Sequence, residues 1–84
     1  MNKEEIFELI KKYIKIIMPE LKSNEIKLND SFEILGFNSL EKMEITTKII
    51  SELSLTISAA ELFRQANLAA LVDLLEKKIK EKIG

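Results

Sequence analysis

The stretch "DSFEILGFNSLEKMEI", residues 30–45, joins a turn to the beginning of a helical pattern. Gly36 permits a tight turn just before this pattern begins. From Ile45 onward an apolar residue recurs every four positions, which predicts a helix over residues 39–53 with that stripe facing the core. Because Ser39 stands at the start of this helix, its simplest role is that of an N-cap or first-turn serine.

The residue after this serine points to a second role. Leu40 lies five positions before Ile45, so it projects about 140° away from it around a helix with 3.6 residues per turn. Met43 and Thr47 lie near the same outward face, although Met43 could instead pack at the edge of the core. Beside a presented hydroxyl, Leu40 and Met43 could form a docking patch for partners.

Composition excludes several classes of function. The chain has 84 residues and a formal net charge of −1, with neither His nor Cys. We therefore expect one domain, residues 1–84, without a Ser-His-Asp arrangement, a disulfide or a thiolate metal site, and with no catalytic residue of its own. Glu41 and Glu44 are i, i+3 neighbours, but two carboxylates make a solvated helix face rather than a metal site.

Charge and hydropathy also set expectations about partners and compartment. Nothing in the sequence resembles the basic stripe of a nucleic-acid binder. No apolar run approaches the roughly 18 residues that a membrane span needs. We therefore expect a cytoplasmic protein with neither nucleic-acid nor membrane partners.

Three further helices are indicated by caps and apolar spacing. Asn2 with Glu5 is a variant of the capping box, and Pro19 ends the first helix near residue 17 or 18. Ser58 can cap a short third helix, and Asn67 can cap the fourth. The core-facing stripe of the fourth helix comprises Leu68, Leu71, Val72, Leu75, Ile79 and Ile83.

Residues 19–38 lack a sustained period and are expected to form a long loop. The segment "EIKLND" alternates briefly, but a single short strand would have no partner. Asp30 or Ser31 could cap one helical turn around Phe32 to Leu35. The apolar anchors of this loop are expected to be Leu21, Ile26, Leu28, Phe32 and Leu35. The whole pattern predicts an all-α four-helix bundle, with three longer helices, one short helix and a long first loop.

Two segments of the chain resemble the acyl and peptidyl carrier proteins. "DSFEILGFNSL", residues 30–40, is similar to their signature, which reads roughly Asp-x-Phe-x-x-Leu-Gly-x-Asp-Ser-Leu. "ISAAELFRQANLAALVDLL", residues 57–75, is similar to the third and fourth helices of carrier domains in polyketide and nonribosomal peptide synthases, with Ala66 and Asn67 where Pro and Thr are usual. The positions that match the signature are Asp30, Phe32, Leu35, Gly36, Ser39 and Leu40.

The resemblance implies an acyl carrier protein-like fold and a covalent cofactor. A phosphopantetheinyl transferase would use coenzyme A and Mg²⁺ to attach 4′-phosphopantetheine to Ser39, beside Gly36 and Asn38. The thiol of this arm would carry acyl or aminoacyl groups as thioesters, which explains how a chain without Cys could serve such chemistry. Catalysis would belong to acyl-loading, condensing or modifying synthase enzymes, so the chain itself would not be an enzyme. The residues expected to meet partners are Leu40, Glu41, Met43, Glu44 and Thr47, with help from residues 57–62.

Position 38 departs from the family pattern, which usually has Asp before the Ser. Asn and Asp cap helices comparably, but Asn38 lacks the negative charge that in the family is thought to assist the transferase and its metal. An unmodified, carrier-like interaction module is therefore the alternative from another functional class.

Charge on the second helix separates pathways within the carrier family. The helix mixes acidic Glu41, Glu44 and Glu52 with Lys42 and Lys48, whereas fatty-acid carriers are typically strongly acidic there. This mixture favours polyketide, nonribosomal peptide or other specialised acyl biosynthesis over a fatty-acid synthesis carrier. We expect a monomer, and the initial Met with no flanking linker favours a free-standing protein over an excised synthase domain.

Overall fold

The computed structural model describes residues 1–83, with side chains as far as Lys82. Four α-helices follow one another: α1 (Lys3–Ile17), α2 (Ser39–Leu53), α3 (Ala59–Phe63) and α4 (Leu68–Ile83). A single 3₁₀ turn, Ser23–Glu25, interrupts the first connection, and no strand occurs within the described range. The predicted bundle of three longer helices and one short helix is confirmed. The expected core contact of Ile83 lies outside the described side chains, as does Gly84.

Helix α1 begins at a reciprocal cap. The Glu5 amide donates to Asn2 Oδ1 at 2.8 Å, and the Asn2 amide donates to Glu5 Oε1 at 2.9 Å, as the sequence predicted. The helix ends at Ile17 because the following Pro19 disfavours helical backbone at the residue before it. Its buried face comprises Ile6, Leu9, Ile10 and Ile14.

The long first loop is fixed partly by its side chains and partly by its backbone. Ile26 and Phe32 are buried anchors, as predicted. Leu28 is 45% exposed, so its prediction as a core anchor is wrong. Its carbonyl instead accepts a hydrogen bond from the Ala69 amide at 2.8 Å, and the Asp30 carbonyl accepts one from the Leu68 amide at 2.8 Å. The loop therefore satisfies amides that the first turn of α4 leaves without intrahelical partners.

The turn before α2 has the predicted capped geometry. The Ile34 amide donates to Ser31 Oγ at 3.0 Å, and the Leu35 amide donates to the Ser31 carbonyl at 3.1 Å. Ser31 is thus the cap, whereas the Asp30 carboxylate accepts a hydrogen bond from the Lys27 amide in the preceding turn. Such short local bonds explain how a long connection stays ordered.

One apolar cluster joins all four helices and the first loop. Both α2 and α4 pack against α1, and Leu62 of α3 enters the same core. The predicted caps of the last two helices are present: the Glu61 amide donates to Ser58 Oγ at 3.1 Å, and the Ala70 amide donates to Asn67 Oδ1 at 2.9 Å. Among the described helices, none has the length and apolar character that crossing a membrane requires.

Candidate functional site

The start of α2 is capped by the residue before Ser39. The Glu41 amide donates to Asn38 Oδ1 at 2.8 Å, and the Asn38 amide donates to Glu41 Oε1 at 3.0 Å. Ser39 is the first residue of the helix and is exposed. Of its two simplest roles, the structure therefore rules out the N-cap and leaves the first-turn serine. Because Asn38 makes the cap, the Ser39 hydroxyl is not needed for it.

The position of Ser39 is determined by the turn that precedes it. Gly36 has a φ of 101°, in a region that side chains other than glycine rarely adopt. A Cβ at this position would meet Met18 Cε at an ordinary 3.7 Å, so conformation rather than space requires the glycine. Phe37 is buried and packs edge-to-face against Phe32, with ring centroids 5.9 Å apart. The sequence interpretation did not include Phe37 among the anchors.

A pocket of about 250 Å³ opens beside the serine. It is lined by Glu33 from the loop, Ser39 and Lys42 from α2, and Phe63 at the end of α3. The tertiary structure thus brings an acidic, a basic and an aromatic side chain to the serine. The sequence placed none of these three in the site.

Lys42 is buried, although the sequence counted it among the mixed charges of α2 without indicating its burial. Its surface is 8% exposed, its Nζ lies 3.1 Å from Glu33 Oε2, and the same atom lies 5.3 Å from the centre of the Phe63 ring. A signal was present in the sequence, because Lys42 precedes Ile45 by three positions and therefore shares its helix face. The ion pair compensates the burial of the ammonium group.

The hydrogen bonds of Glu33 lower the pKa of its carboxyl group. Its pKa lies below the ordinary value because its own backbone amide donates to the carboxylate, and Lys42 donates to it as well. The carboxylate therefore remains charged at neutral pH, and the pocket holds one negative and one positive side chain.

The outward face of α2 is partly apolar, as the helical spacing predicted. Leu40 is 76% exposed and Met43 is 46% exposed, so the core-edge alternative for Met43 is wrong. Glu44 pairs with Lys48 at 3.5 Å. Ile34, which the sequence interpretation did not select, is also exposed in the turn before Gly36. The other predicted partner residues, Glu41 and Thr47, lie on the same helix, Glu41 half-buried and Thr47 exposed.

A larger pocket, of about 400 Å³, lies elsewhere, between the beginning of α1 and α4. Phe7, Leu28 and Val72 provide much of its apolar lining. It contains none of the residues around Ser39, and nothing in its lining shows what would occupy it. The serine and its charged pocket are the better candidate site, because they combine a presented nucleophile with a buried cation.

The residues at the start of α2 fit a phosphodiester-linked group. Ser39 offers an exposed primary hydroxyl, Lys42 offers an ammonium group nearby, and the beginning of a helix carries partial positive charge. Within the described chain, no cluster of three or more His, Cys, Asp or Glu residues could hold a metal ion.

Comparison with known proteins gives consistent results. A family model described as "Phosphopantetheine attachment site" matches residues 4–75. The polyketide biosynthesis acyl-carrier-protein AcpK of Bacillus subtilis (strain 168) is 33% identical over 79 residues, covering 94% of this chain and 96% of that protein. A chain from the crystal structure of the curacin biosynthetic pathway HMG synthase in complex with acetyl donor-ACP superposes with a TM-score of 0.84. That chain is 37% identical, and the match covers 93% of this chain and 100% of the other.

The fold and these matches define a carrier protein with a phosphopantetheine cofactor. The chain belongs to the phosphopantetheine-attachment family of acyl carrier proteins. Its function is to present carried intermediates to partner enzymes. The resemblance found in residues 30–40 and 57–75 is thereby confirmed.

Proposed function

We propose that Ser39 is the residue to which the 4′-phosphopantetheine arm is attached. One observation carries this proposal: the Ser39 hydroxyl is exposed in the first turn of α2, while Asn38 makes the helix cap. The cofactor, once bound, supplies a thiol that carries acyl or aminoacyl groups as thioesters. The chain itself fixes where that group is held, through the Gly36 turn and the capped start of the helix.

The protein is proposed to act without catalytic residues of its own. It contains neither His nor Cys, the side chains that most often act as general base or as thiol nucleophile. A phosphopantetheinyl transferase would modify the serine, and acyl-loading, condensing or modifying enzymes would perform the later steps. The proposed contact residues for these partners are Leu40, Glu41, Met43, Glu44 and Thr47.

We infer a role in polyketide or another specialised acyl biosynthesis. The relative AcpK is named for polyketide biosynthesis, and the structural neighbour is a donor carrier in complex with an HMG synthase. Burial of Lys42 changes the charge argument made from the sequence, since Lys42 pairs with Glu33 instead of offsetting the acidic face. The exposed ion pair of Glu44 with Lys48 still moderates that face, which supports the specialised pathway over fatty-acid synthesis.

The proposed working form is a single domain of residues 1–84 that acts as a cytoplasmic monomer. The single apolar cluster that joins all four helices supports one domain.

The attachment is tested by intact mass after incubation with coenzyme A, Mg²⁺ and a broad-specificity transferase. We expect a gain of one phosphopantetheine in the unsubstituted protein and none in Ser39→Ala. Ser51→Ala, an exposed serine of the same helix, is the matched control and should gain the arm normally. Absence of any gain with several transferases, or a gain that persists in Ser39→Ala, would overturn the proposal.

A second candidate is an unmodified carrier-like module that acts only by binding partners. Asn38 favours it, because the residue before the serine lacks the usual negative charge. The mass experiment distinguishes the two: a folded protein that never gains the arm yet still binds synthase enzymes would support this second function.

A further inference from the structure

Lys42 occupies a position that its ion pair alone does not explain. It lies one helical turn after Ser39, at 8% exposure, and it lines the same pocket as the serine. Lysines are almost never fully buried unless they are paired, and here Glu33 is the partner. The ion pair with Glu33 explains why a buried charge is tolerated here. It does not explain why the side chain beside the serine is a cation.

The ammonium group of Lys42 keeps hydrogen-bonding capacity beyond its bond to Glu33. An ammonium has three N–H donors, and within residues 1–83 its hydrogen bond goes to Glu33 Oε2 at 3.1 Å. The Phe63 ring attracts the positive charge without accepting a conventional hydrogen bond. The side chain of Glu33 is 64% exposed, so water can solvate its carboxylate when Lys42 engages another anion.

We propose that Lys42 binds the phosphodiester of the arm and that Phe63 is the apolar wall against which the adjoining part of the arm rests. This inference rests on the proposed attachment at Ser39. A phosphodiester is a permanent anion, and a lysine binds phosphate as a compact point charge. The partial positive charge at the start of α2 acts in the same direction.

Helix geometry gives this contact a consequence for partner access. Ser39 and Lys42 are i, i+3 neighbours, so they share one face of α2. Leu40 and Met43 are likewise i, i+3 neighbours, on the adjacent face that stays exposed. An arm held over Lys42 and Phe63 would leave the Leu40 face free for partners to dock.

The contact is measured by NMR on protein whose single modification at Ser39 has first been established by mass. In the unsubstituted modified protein, we expect nuclear Overhauser effects between Phe63 ring protons and arm protons. We also expect ³¹P relaxation typical of a group held by the folded chain. Because this measurement needs no substitution in the pocket, it does not depend on whether a variant folds.

Substitutions at position 42 then test whether the positive charge of Lys42 holds the arm against Phe63. Lys42→Met keeps an apolar stem of similar length but lacks the charge. In this variant we expect the nuclear Overhauser effects to Phe63 to disappear and the ³¹P line to narrow. Lys42→Arg keeps the charge and should show the same Phe63 effects and ³¹P relaxation as the unsubstituted protein. Lys48→Met, an exposed lysine on the same helix, is the matched control and should behave like the unsubstituted protein.

Two results overturn the inference without touching the proposed function: a modified protein with no arm contacts to Phe63, or contacts and ³¹P relaxation that survive in Lys42→Met. A chain that is not modified at Ser39 overturns both proposals, and the mass measurement shows which has failed.

Discussion

Asn38 performs one of the two tasks that the family assigns to its position. Its side-chain oxygen caps α2 as well as an aspartate would, and its backbone amide completes the reciprocal cap with Glu41. What it lacks is a negative charge next to Ser39. At the scale of the residue, the cap that folding needs is therefore present, and the proposed modification at Ser39 would proceed without that charge.

Replacing Asn38 by Asp should accelerate modification without altering stability. We expect roughly two- to fivefold faster conversion, which corresponds to about 0.5–1 kcal/mol of barrier. The time course of the mass gain, at fixed transferase and Mg²⁺, measures this rate. Thermal unfolding of both proteins is the control, since Asn and Asp cap comparably. Equal rates would reject a role for the missing charge.

Tyr13 allows a pH prediction at a single residue. Its hydroxyl donates a hydrogen bond to Glu52, which raises the pKa of Tyr13 above its ordinary value of 10.0; desolvation and the charge of Glu52 act in the same direction. The folded state thus retains a proton that the unfolded chain releases. This contribution to stability is complete below about pH 10 and is lost as the pH rises through the folded pKa.

The chain has one tyrosine, so its ionisation can be followed directly by absorbance. We expect Glu52→Ala to return the pKa of Tyr13 toward its ordinary value, because the acceptor and its charge are both removed. Glu44→Ala, which removes a different carboxylate of α2, should leave the titration unchanged. Identical titrations of the Glu52→Ala and unsubstituted proteins would contradict the proposed hydrogen bond.

At the scale of the element, three separate acceptors outside the helix receive hydrogen bonds from the first amides of α4. Asn67 Oδ1 accepts a hydrogen bond from the Ala70 amide, while the carbonyls of Asp30 and Leu28 accept from the two amides before it, those of Leu68 and Ala69. A helix start normally leaves such donors without intrahelical partners. The first loop and α4 are therefore joined by the hydrogen bonds that the helix start requires.

Asn67→Ala should destabilise the protein by about 1 kcal/mol, because it removes the N-cap acceptor of α4. For a domain of this size, that corresponds to a fall in Tm of about 4–8 °C. Asn67→Ser is the matched control and should change Tm much less, since a serine hydroxyl can accept the same bond. Calorimetric or circular-dichroism melting provides the measurement, and equal Tm values for Ala and Ser would contradict the capping role.

At the scale of the whole molecule, one small core carries most of the stability. A chain of 84 residues buries a smaller fraction of its surface on folding than a larger domain does, so its stability depends strongly on each core residue. The completely buried side chains come from α1, α2 and α4: Ile6, Ile10, Ile14, Ile45, Ile49, Leu68 and Leu75. Loss of any of them should affect the cooperative unfolding of the entire chain.

Ile10→Ala should lower the free energy of unfolding by about 2–5 kcal/mol, because it leaves a cavity among well-packed neighbours. Ile16→Ala, an exposed position of the same helix, should stay within about 0.5 kcal/mol. Denaturant unfolding of both variants measures the difference. Similar losses at the two positions would mean that the core does not lie where the structure places it.

Sequence patterns that depend on residues close together in the chain predicted most of the fold. Helix caps and apolar spacing placed α1, α2 and α4, because these signals act between residues that are close in the chain. The exposed Leu40 followed from the same helical geometry. In the long first loop, the buried anchor Phe37 was missed and Leu28 was wrongly taken as one. The apolar character of Leu28 gave no sign that its backbone rather than its side chain holds the loop.

The sequence by itself determined the four helices, the turn at Gly36 and the outward position of Ser39 at the start of α2. Only the tertiary structure decided what surrounds that serine. Glu33, Lys42 and Phe63 lie on three different segments, and they converge because the shared core brings α3 and the loop against α2. A contact between distant segments depends on how elements pack together, and spacing along one segment does not contain that information.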